Sequence, residues 1–162
     1  MNTAKTSIVI CTKNEEKTIG DIITAVKPYG DEVLVVDGHS TDNTRNIALK
    51  LGARVELDNG RGKGDAIRTA IQKVANDIIV FIDADGSHDA NDIPRILSPI
   101  LKNEADLVIG SRSLGGSDEA WGTFGDFMRS VGGHIIILAI NNRFGVMLTD
   151  SQNGFRAIRT SI

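Results

Sequence analysis

The feature that most constrains this chain is a series of five short runs rich in β-branched residues, spaced by segments with helical periodicity. The runs are TSIVICT (6–12), DEVLVVD (31–37), a weaker ARVELD (53–58), DIIVFID (77–83) and DLVIGSR (106–112). The stronger runs lack the apolar–polar alternation of a sheet with one wet face, which fits strands buried on both sides. Between them, EEKTIGDIITAVKPY (15–29) sets Ile19, Ile22, Ile23 and Val26 at helical spacing and ends at Pro28. STDNTRNIALKLG (40–52) opens on residues suited to capping, Ser40, Thr41, Asp42 and Asn43, and stops at Gly52. After the loop NGRGKG (59–64), DAIRTAIQKVAN (65–76) and ANDIPRILSPILKNE (90–104) are two more helices, the last with Pro94 near its start and Pro99 inside. Strand and helix in strict alternation predict a mostly parallel sheet with helices on both faces, a Rossmann-like three-layer α/β/α fold. At 162 residues the chain is expected to form one domain.

Beyond Arg112 the pattern changes. SLGGSDEAWGTFG (113–125) is long and glycine-rich, as functional or mobile loops are. A helix is expected from about Asp126 to Arg143. Phe127, Val131, Ile135 and Leu138 form one stripe, widened by Met128, Ile136, Ile137 and Ile140 beyond the face of an ordinary surface helix. Such a helix is buried, or it meets a membrane or a partner; core packing is the expectation, with further C-terminal sequence as one source of cover. MLTDSQNGFRAIRTSI (147–162) reads as a turn and a short strand, after which the chain stops, so further C-terminal sequence is expected.

Composition excludes several classes. A net charge of −3 argues against a nucleic-acid partner. Cys11 is the one cysteine, so neither an internal disulfide nor a multi-cysteine zinc site can form. The N-terminal MNTAKTSIVICTKNEE has too short an apolar segment for a signal peptide. No run approaches the roughly 20 apolar residues that span a bilayer.

In open parallel sheets, ligands bind at the carboxyl ends of strands. Here those ends carry Thr12, Lys13, Asn14 and Glu15; Asp37, His39 and Asp42; Asp83, Asp85, Ser87 and His88; and Ser111 and Arg112. Loop polarity and capping account for some of these. Asp83 is harder to explain that way, because it ends an apolar strand and Asp85 lies two positions on. Either the pair is a solvated turn, or a hard cation with oxygen ligands sits between the two carboxylates. Mg²⁺ typically takes one or two carboxylates together with substrate phosphates. Gly60, Gly62 and Gly64 alternate with Arg61 and Lys63 ahead of a helix. Alone, this is a flexible turn or an anion site; with the aspartate pair on the next strand, a diphosphate is the better reading. It matches neither the Walker loop nor G-x-G-x-x-G, since Ile67 stands at the third glycine position counted from Gly62.

Taken in order, VICTKNEEKTI, VLVVDGHSTDNT, RGKGDAIRTA, VFIDADGSHD, LVIGSR and LTDSQNGFRAI resemble glycosyltransferase family 2 enzymes of the GT-A fold. The chain is most similar to the branch that makes polyprenyl-phosphate sugars, the dolichol-phosphate mannose and glucose synthases. The resemblance implies an inverting transfer from a UDP- or GDP-sugar to polyprenyl phosphate, in the cytoplasm or at the cytoplasmic face of a membrane. Other acceptors, saccharide or small molecule, and a binding module without turnover are the alternatives.

It also implies roles. Asp37 resembles the aspartate that contacts the nucleoside, with Thr12, Asn14 and Glu15 in the first nucleoside loop and Lys63 and Gly64 near ribose and phosphates. Asp83-Ala84-Asp85 resembles the D-x-D that holds Mg²⁺ or Mn²⁺. Many relatives carry Gln-His just beyond; here the pair is Ser87-His88. Arg112 and Arg129 resemble basic residues near the acceptor and donor phosphates. Asp150 and Gln152 match the acceptor-side motif, Asp150 as the candidate base for a hydroxyl acceptor. For a lipid phosphate, already ionised, Asp150 would orient groups instead. His88 reads as a neighbour of the site at best, and His39 and His134 do not form a metal set with it.

Overall fold

The computed structural model describes residues 4–111, 135–145, 147–151 and 153–162. It holds two compact units. The first comprises residues up to Val108 together with Gly154–Ile162, and the second is Ile109–Asn153.

The chain follows the expected alternation: β1 (Thr6–Thr12), α1 (Ile19–Val26), β2 (Glu32–Asp37), α2 (Thr44–Lys50), β3 (Arg54–Leu57), α3 (Lys63–Lys73), β4 (Ile78–Asp83), α4 (Ile93–Leu101), β5 (Leu107–Ile109) and β6 (Arg156–Arg159). The sheet order is β3-β2-β1-β4-β6-β5. β1 pairs in parallel with β2 and β4, and β2 with β3, while β6 runs antiparallel to β4. The architecture is therefore the mostly parallel α/β type that the sequence predicts.

Both faces of the central strands are apolar, which is why the runs do not alternate. Ile8, Ile10, Val35, Ile78, Val80 and Ile82 point to one side, where Ile19, Ile23 and Val26 of α1, Ala48 of α2 and Ile93, Ile96, Leu97 and Ile100 of α4 cover them. Val9, Leu34, Val36, Ile79 and Phe81 point to the other, under Ala66 and Ala70 of α3. Each large aliphatic side chain buried this way contributes about 1.5–3 kcal/mol.

Several boundaries differ from expectation. The first helix shortens to Ile19–Val26 and ends in a 3₁₀ turn, Lys27–Tyr29, where Pro28 has no N–H to continue the ladder. α3 starts at Lys63, so Lys63 and Gly64 belong to the helix and not to the loop: the N–H groups of Asp65 and Ala66 close on the Gly62 carbonyl at 2.9 and 3.3 Å. The fifth strand contracts to Leu107–Ile109, and Arg112 lies outside the described residues.

In the second unit, residues 135–144 are helical. Core packing, the expectation, is met only in part: Ile137 and Ile140 are half-buried. Ile135, Ile136 and Leu138 are exposed, as are Phe144 and Met147. Among the described residues nothing covers this face. The expected start of the helix, with Phe127, Met128 and Val131, lies outside them.

Candidate functional site

The pairing registers bring four strand ends level. Cys11 pairs with Asp83, Thr12 with Asp37, and Asp37 with Leu57. Loops leaving these ends frame a cleft of about 270 Å³, lined among others by Thr12, Glu15, Asp58, Lys63, Asp83 and Asp85.

Asp83 is the last residue of β4 and shares the parity of Ile79 and Phe81, so its side chain stands on the α3 side. Lys63, at the first position of α3, donates to Asp83 Oδ1 at 2.7 Å. His88 Nε2 lies 3.7 Å from Oδ2. The interaction with His88, then that with Lys63, outweighs partial burial and holds the Asp83 carboxyl down to about 2. At 3.7 Å the His88 contact is long for a hydrogen bond, so Lys63 is the firmer partner. The His88 ring is itself fixed by stacking on Phe155, with centroids 5.3 Å apart and planes 19° apart. Gly154 also lies close to Asp83. A Cβ there would lie 2.8 Å from Asp83 Oδ1 and collide with Oδ2.

Asp85 is exposed. Its Oδ1 accepts the Ser87 N–H at 2.9 Å, a turn made at Gly86 with φ +80°. The Ser87 side chain and then its N–H pull the Asp85 carboxyl below its ordinary value. Ser87 thus orients Asp85.

The glycine loop is shaped from within. Gly60 and Gly62 have φ of +74° and +90°, which a side chain would strain. Asp65 clamps the loop by accepting Asn59 N at 2.7 Å and Asn59 Nδ2 at 3.1 Å. Gly60, Gly62 and Lys63 line the cleft. Gly64 is exposed and is not among the cleft-lining residues.

The loops after β1 and β2 are laced together. Asn14 N–H donates to Ser40 Oγ and Thr41 N–H to Asn14 Oδ1, both at 2.8 Å, while Glu15 N–H donates to Thr44 Oγ1 at 2.8 Å. Capping is therefore not the role of Ser40. α2 has Asn43 at its N-cap, with no side-chain cap bond. Asp37 is fully buried; it accepts Ser40 N at 2.9 Å and the Ser40 hydroxyl, with Arg45 Nε at 3.5 Å. Thr12, Lys13 and Glu15 face the cleft, whereas Asn14 and Asp37 are absent from its lining and brace the loops. Thr12 Oγ1 is buried without a partner.

Asp58, just past β3, is a site residue that the sequence reading misses, although it carries the same signal as Asp83: a carboxylate ending a strand run. Its side chain is 2% exposed. Oδ1 accepts the Gly60 N–H at 2.7 Å, and its main-chain oxygen is 2.9 Å from His39 Nε2.

Among the described residues, no three His, Cys, Asp or Glu are placed to share a metal ion. Asp83 and Asp85 nonetheless suit Mg²⁺ or Mn²⁺, whose other positions substrate phosphates and water fill. The Lys63 ammonium already pairs with the Asp83 carboxylate at 2.7 Å.

In the second unit, Asp150 is 7% exposed. Its Oδ1 accepts Asn153 N at 3.2 Å, and Asn153 Nδ2 donates to the Gly110 carbonyl at 2.6 Å. Arg112, Arg129 and Gln152 lie outside the described residues.

A mostly parallel sheet with helices on both faces and its strand ends level is an α/β architecture of the GT-A type, and the solved structures it resembles are GT-A glycosyltransferases. The family model for "Glycosyl transferase family 2" matches residues 7–161. The chain belongs to glycosyltransferase family 2. It is 36% identical over 152 residues to glycosyltransferase AglJ of Haloferax volcanii, covering 93% of this chain and 48% of that protein. It is 27% identical over 176 residues to the UDP-N-acetylglucosamine–dolichyl-phosphate N-acetylglucosaminyltransferase of Methanococcus voltae, covering 95% of this chain and 69% of that protein. Among solved structures it resembles glucosyl-3-phosphoglycerate synthase of Mycobacterium tuberculosis in complex with Mn²⁺, UDP-glucose and phosphoglyceric acid. The TM-score is 0.76 at 28% identity, over 98% of this chain and 57% of that one. The chain thus spans about half the length of several proteins it matches.

Proposed function

We propose that this chain carries the donor-binding part of an inverting, metal-dependent glycosyltransferase that moves a sugar from a nucleotide-diphosphate sugar to polyprenyl phosphate. The observation that carries the donor reading is the Asp83–Lys63 contact beside Asp85 in a cleft floored by level strand ends. Asp83 and Asp85 would hold Mg²⁺ or Mn²⁺, which when bound neutralises charge on the leaving diphosphate. Lys63 is placed to exchange Asp83 for a diphosphate oxygen, and the glycine loop lets backbone approach the same group. Asn14 and Asp37 keep the nucleoside side of the cleft in shape. The acceptor oxygen attacks the anomeric carbon opposite the breaking bond, whose electron pair leaves on the diphosphate. Asp150 serves the acceptor side, with Arg112 and Arg129 positioning phosphate; these roles rest on the sequence resemblance.

The lipid acceptor is supported by the Methanococcus voltae relative and by the exposed apolar face of Ile135, Ile136 and Leu138, which suits work at a membrane surface. Among the described residues, no helix is long and apolar enough to cross a membrane. A small phosphorylated acceptor is the second reading, favoured by the likeness to the phosphoglycerate-bound structure. Transfer assays with UDP- and GDP-sugars, Mn²⁺ or Mg²⁺, and polyprenyl phosphate or 3-phosphoglycerate separate the two. Sugar arriving on the lipid phosphate is the expected result. Arrival only on the small acceptor replaces the first reading with the second, and donor binding without turnover on either, with full-length protein, rejects both.

A further inference from the structure

Resting on the donor reading above, the geometry points to Asp58 as the residue that selects the nucleobase, through a single N–H of a uracil-type imide. The sheet order supplies a ruler. Asp83 ends β4 and Asp58 follows β3, with β1 and β2 between them. Strands lie about 4.8 Å apart, so the two carboxylates stand roughly 14 Å from each other across level strand ends. If the diphosphate sits at Asp83, Asp85 and Lys63, the ribose falls over β1 and the base reaches the β2–β3 side. Gly38 and Gly60 leave the cleft open there, next to Asp58. A methyl group at Gly38 would come within 3.6 Å of Asp58 Oδ2.

The chemistry of Asp58 then narrows the base. A carboxylate 2% exposed needs donors. Oδ1 has one, the Gly60 N–H at 2.7 Å; His39 Nε2 stands 3.6 Å from it and is committed at 2.9 Å to the Asp58 main-chain oxygen. That leaves Oδ2 for the ligand. One free oxygen matches the lone N3–H of uracil, whose flanking carbonyls accept. Guanine presents two adjacent donors, N1–H and the 2-amino group, which call for both carboxylate oxygens. Cytosine N3 is an acceptor and is repelled. The buried Thr12 hydroxyl, without a partner, is a donor at hand in the same cleft for a carbonyl flanking N3. Asp37, the other strand-end aspartate here, has its carboxylate engaged by Ser40 and Arg45.

Calorimetric titration with UDP, CDP and GDP in the presence of Mn²⁺ tests this on wild type and on Asp58→Asn. Wild type should prefer UDP, and N3-methyl-UDP should bind it roughly 10- to 100-fold more weakly, the loss of a hydrogen bond to a charged group. Asp58→Asn offers an amide N–H where the oxygen was, so CDP should gain on UDP by about tenfold or more; a purely structural role would weaken both alike. Equal binding of N3-methyl-UDP, a wild-type preference for GDP, or an unchanged UDP/CDP ratio in Asp58→Asn overturns the assignment while leaving the donor site standing. Failure of wild type to bind any of the three overturns both. The N3-methyl arm uses unaltered protein, so it decides even if the variant does not fold.

Discussion

Gly154 shows how much of the site turns on a single missing atom. A Cβ on Gly154 would meet both oxygens of the Asp83 carboxylate, which Lys63 and His88 also approach. Asp83 therefore has three close neighbours before any ligand arrives. Gly154→Ala should push the carboxylate off Lys63 and cost about 1–3 kcal/mol of stability, as overpacking does. Its larger effect should be on metal-dependent donor binding, reduced tenfold or more in a Mn²⁺ titration read by calorimetry. Unchanged metal dependence in a folded variant would contradict this account of Asp83.

Cys11 gives a prediction of another kind. Burial pushes its thiol up to about 12 from an ordinary 9.0. Since the thiolate is the nucleophile, iodoacetamide at pH 8 should alkylate Cys11 far more slowly than a free cysteine. Mass spectrometry follows the reaction, and a free-cysteine rate would refute the half-buried environment. The sign for stability follows. The unfolded thiol ionises above about 9 while the folded one stays protonated, so this group's contribution is intact below 9 and is lost as pH rises towards 12.

At the level of elements, the strands and their carboxyl-end chemistry were legible because both depend on local pattern. Unbroken β-branched runs mark strands covered on both faces, and Asp83 and Lys63 stand out by type and position. What the sequence concealed depends on neighbours distant along the chain. Ser40 looks like a cap, yet it spends its hydroxyl on Asp37 and receives Asn14 N–H. Asp58 looks like the end of a weak strand until β3 is seen beside β2. Asp37 and Asn14 also lace the loops through bonds to Ser40 and Thr41, which no local pattern announces. Ser40→Ala leaves Asn14 N–H and the buried Asp37 carboxylate each one partner short. It should cost about 1–3 kcal/mol, seen as a lower Tm, and should raise KM for the donor more than it lowers kcat. A Tm unchanged from wild type would show that the lacing between these loops is unimportant.

For the whole molecule, the strand order of the sheet joins parts of the chain that are distant in sequence. The chain leaves the first unit at Val108 and returns at Gly154, and β6, drawn from the far end of the sequence, pairs with β4 through Phe81–Arg156 to Ile78–Arg159. Phe155, just ahead of that strand, stacks on His88. Whatever binds at Asp83 and Asp85 therefore grips the middle and the end of the chain together, and should stabilise the first unit as a body. The stabilisation should need donor and cation jointly, because two carboxylates alone leave most positions of Mg²⁺ or Mn²⁺ to phosphate and water. With free UDP-sugar about 100-fold above its Kd in Mn²⁺, mass action adds about 2.7 kcal/mol. A thermal-shift series should show that gain with donor and Mn²⁺ together and little with either alone. Chelation by EDTA should abolish it, and Asp85→Asn should reduce it. A full shift from donor alone, indifferent to EDTA, would remove the metal from this site.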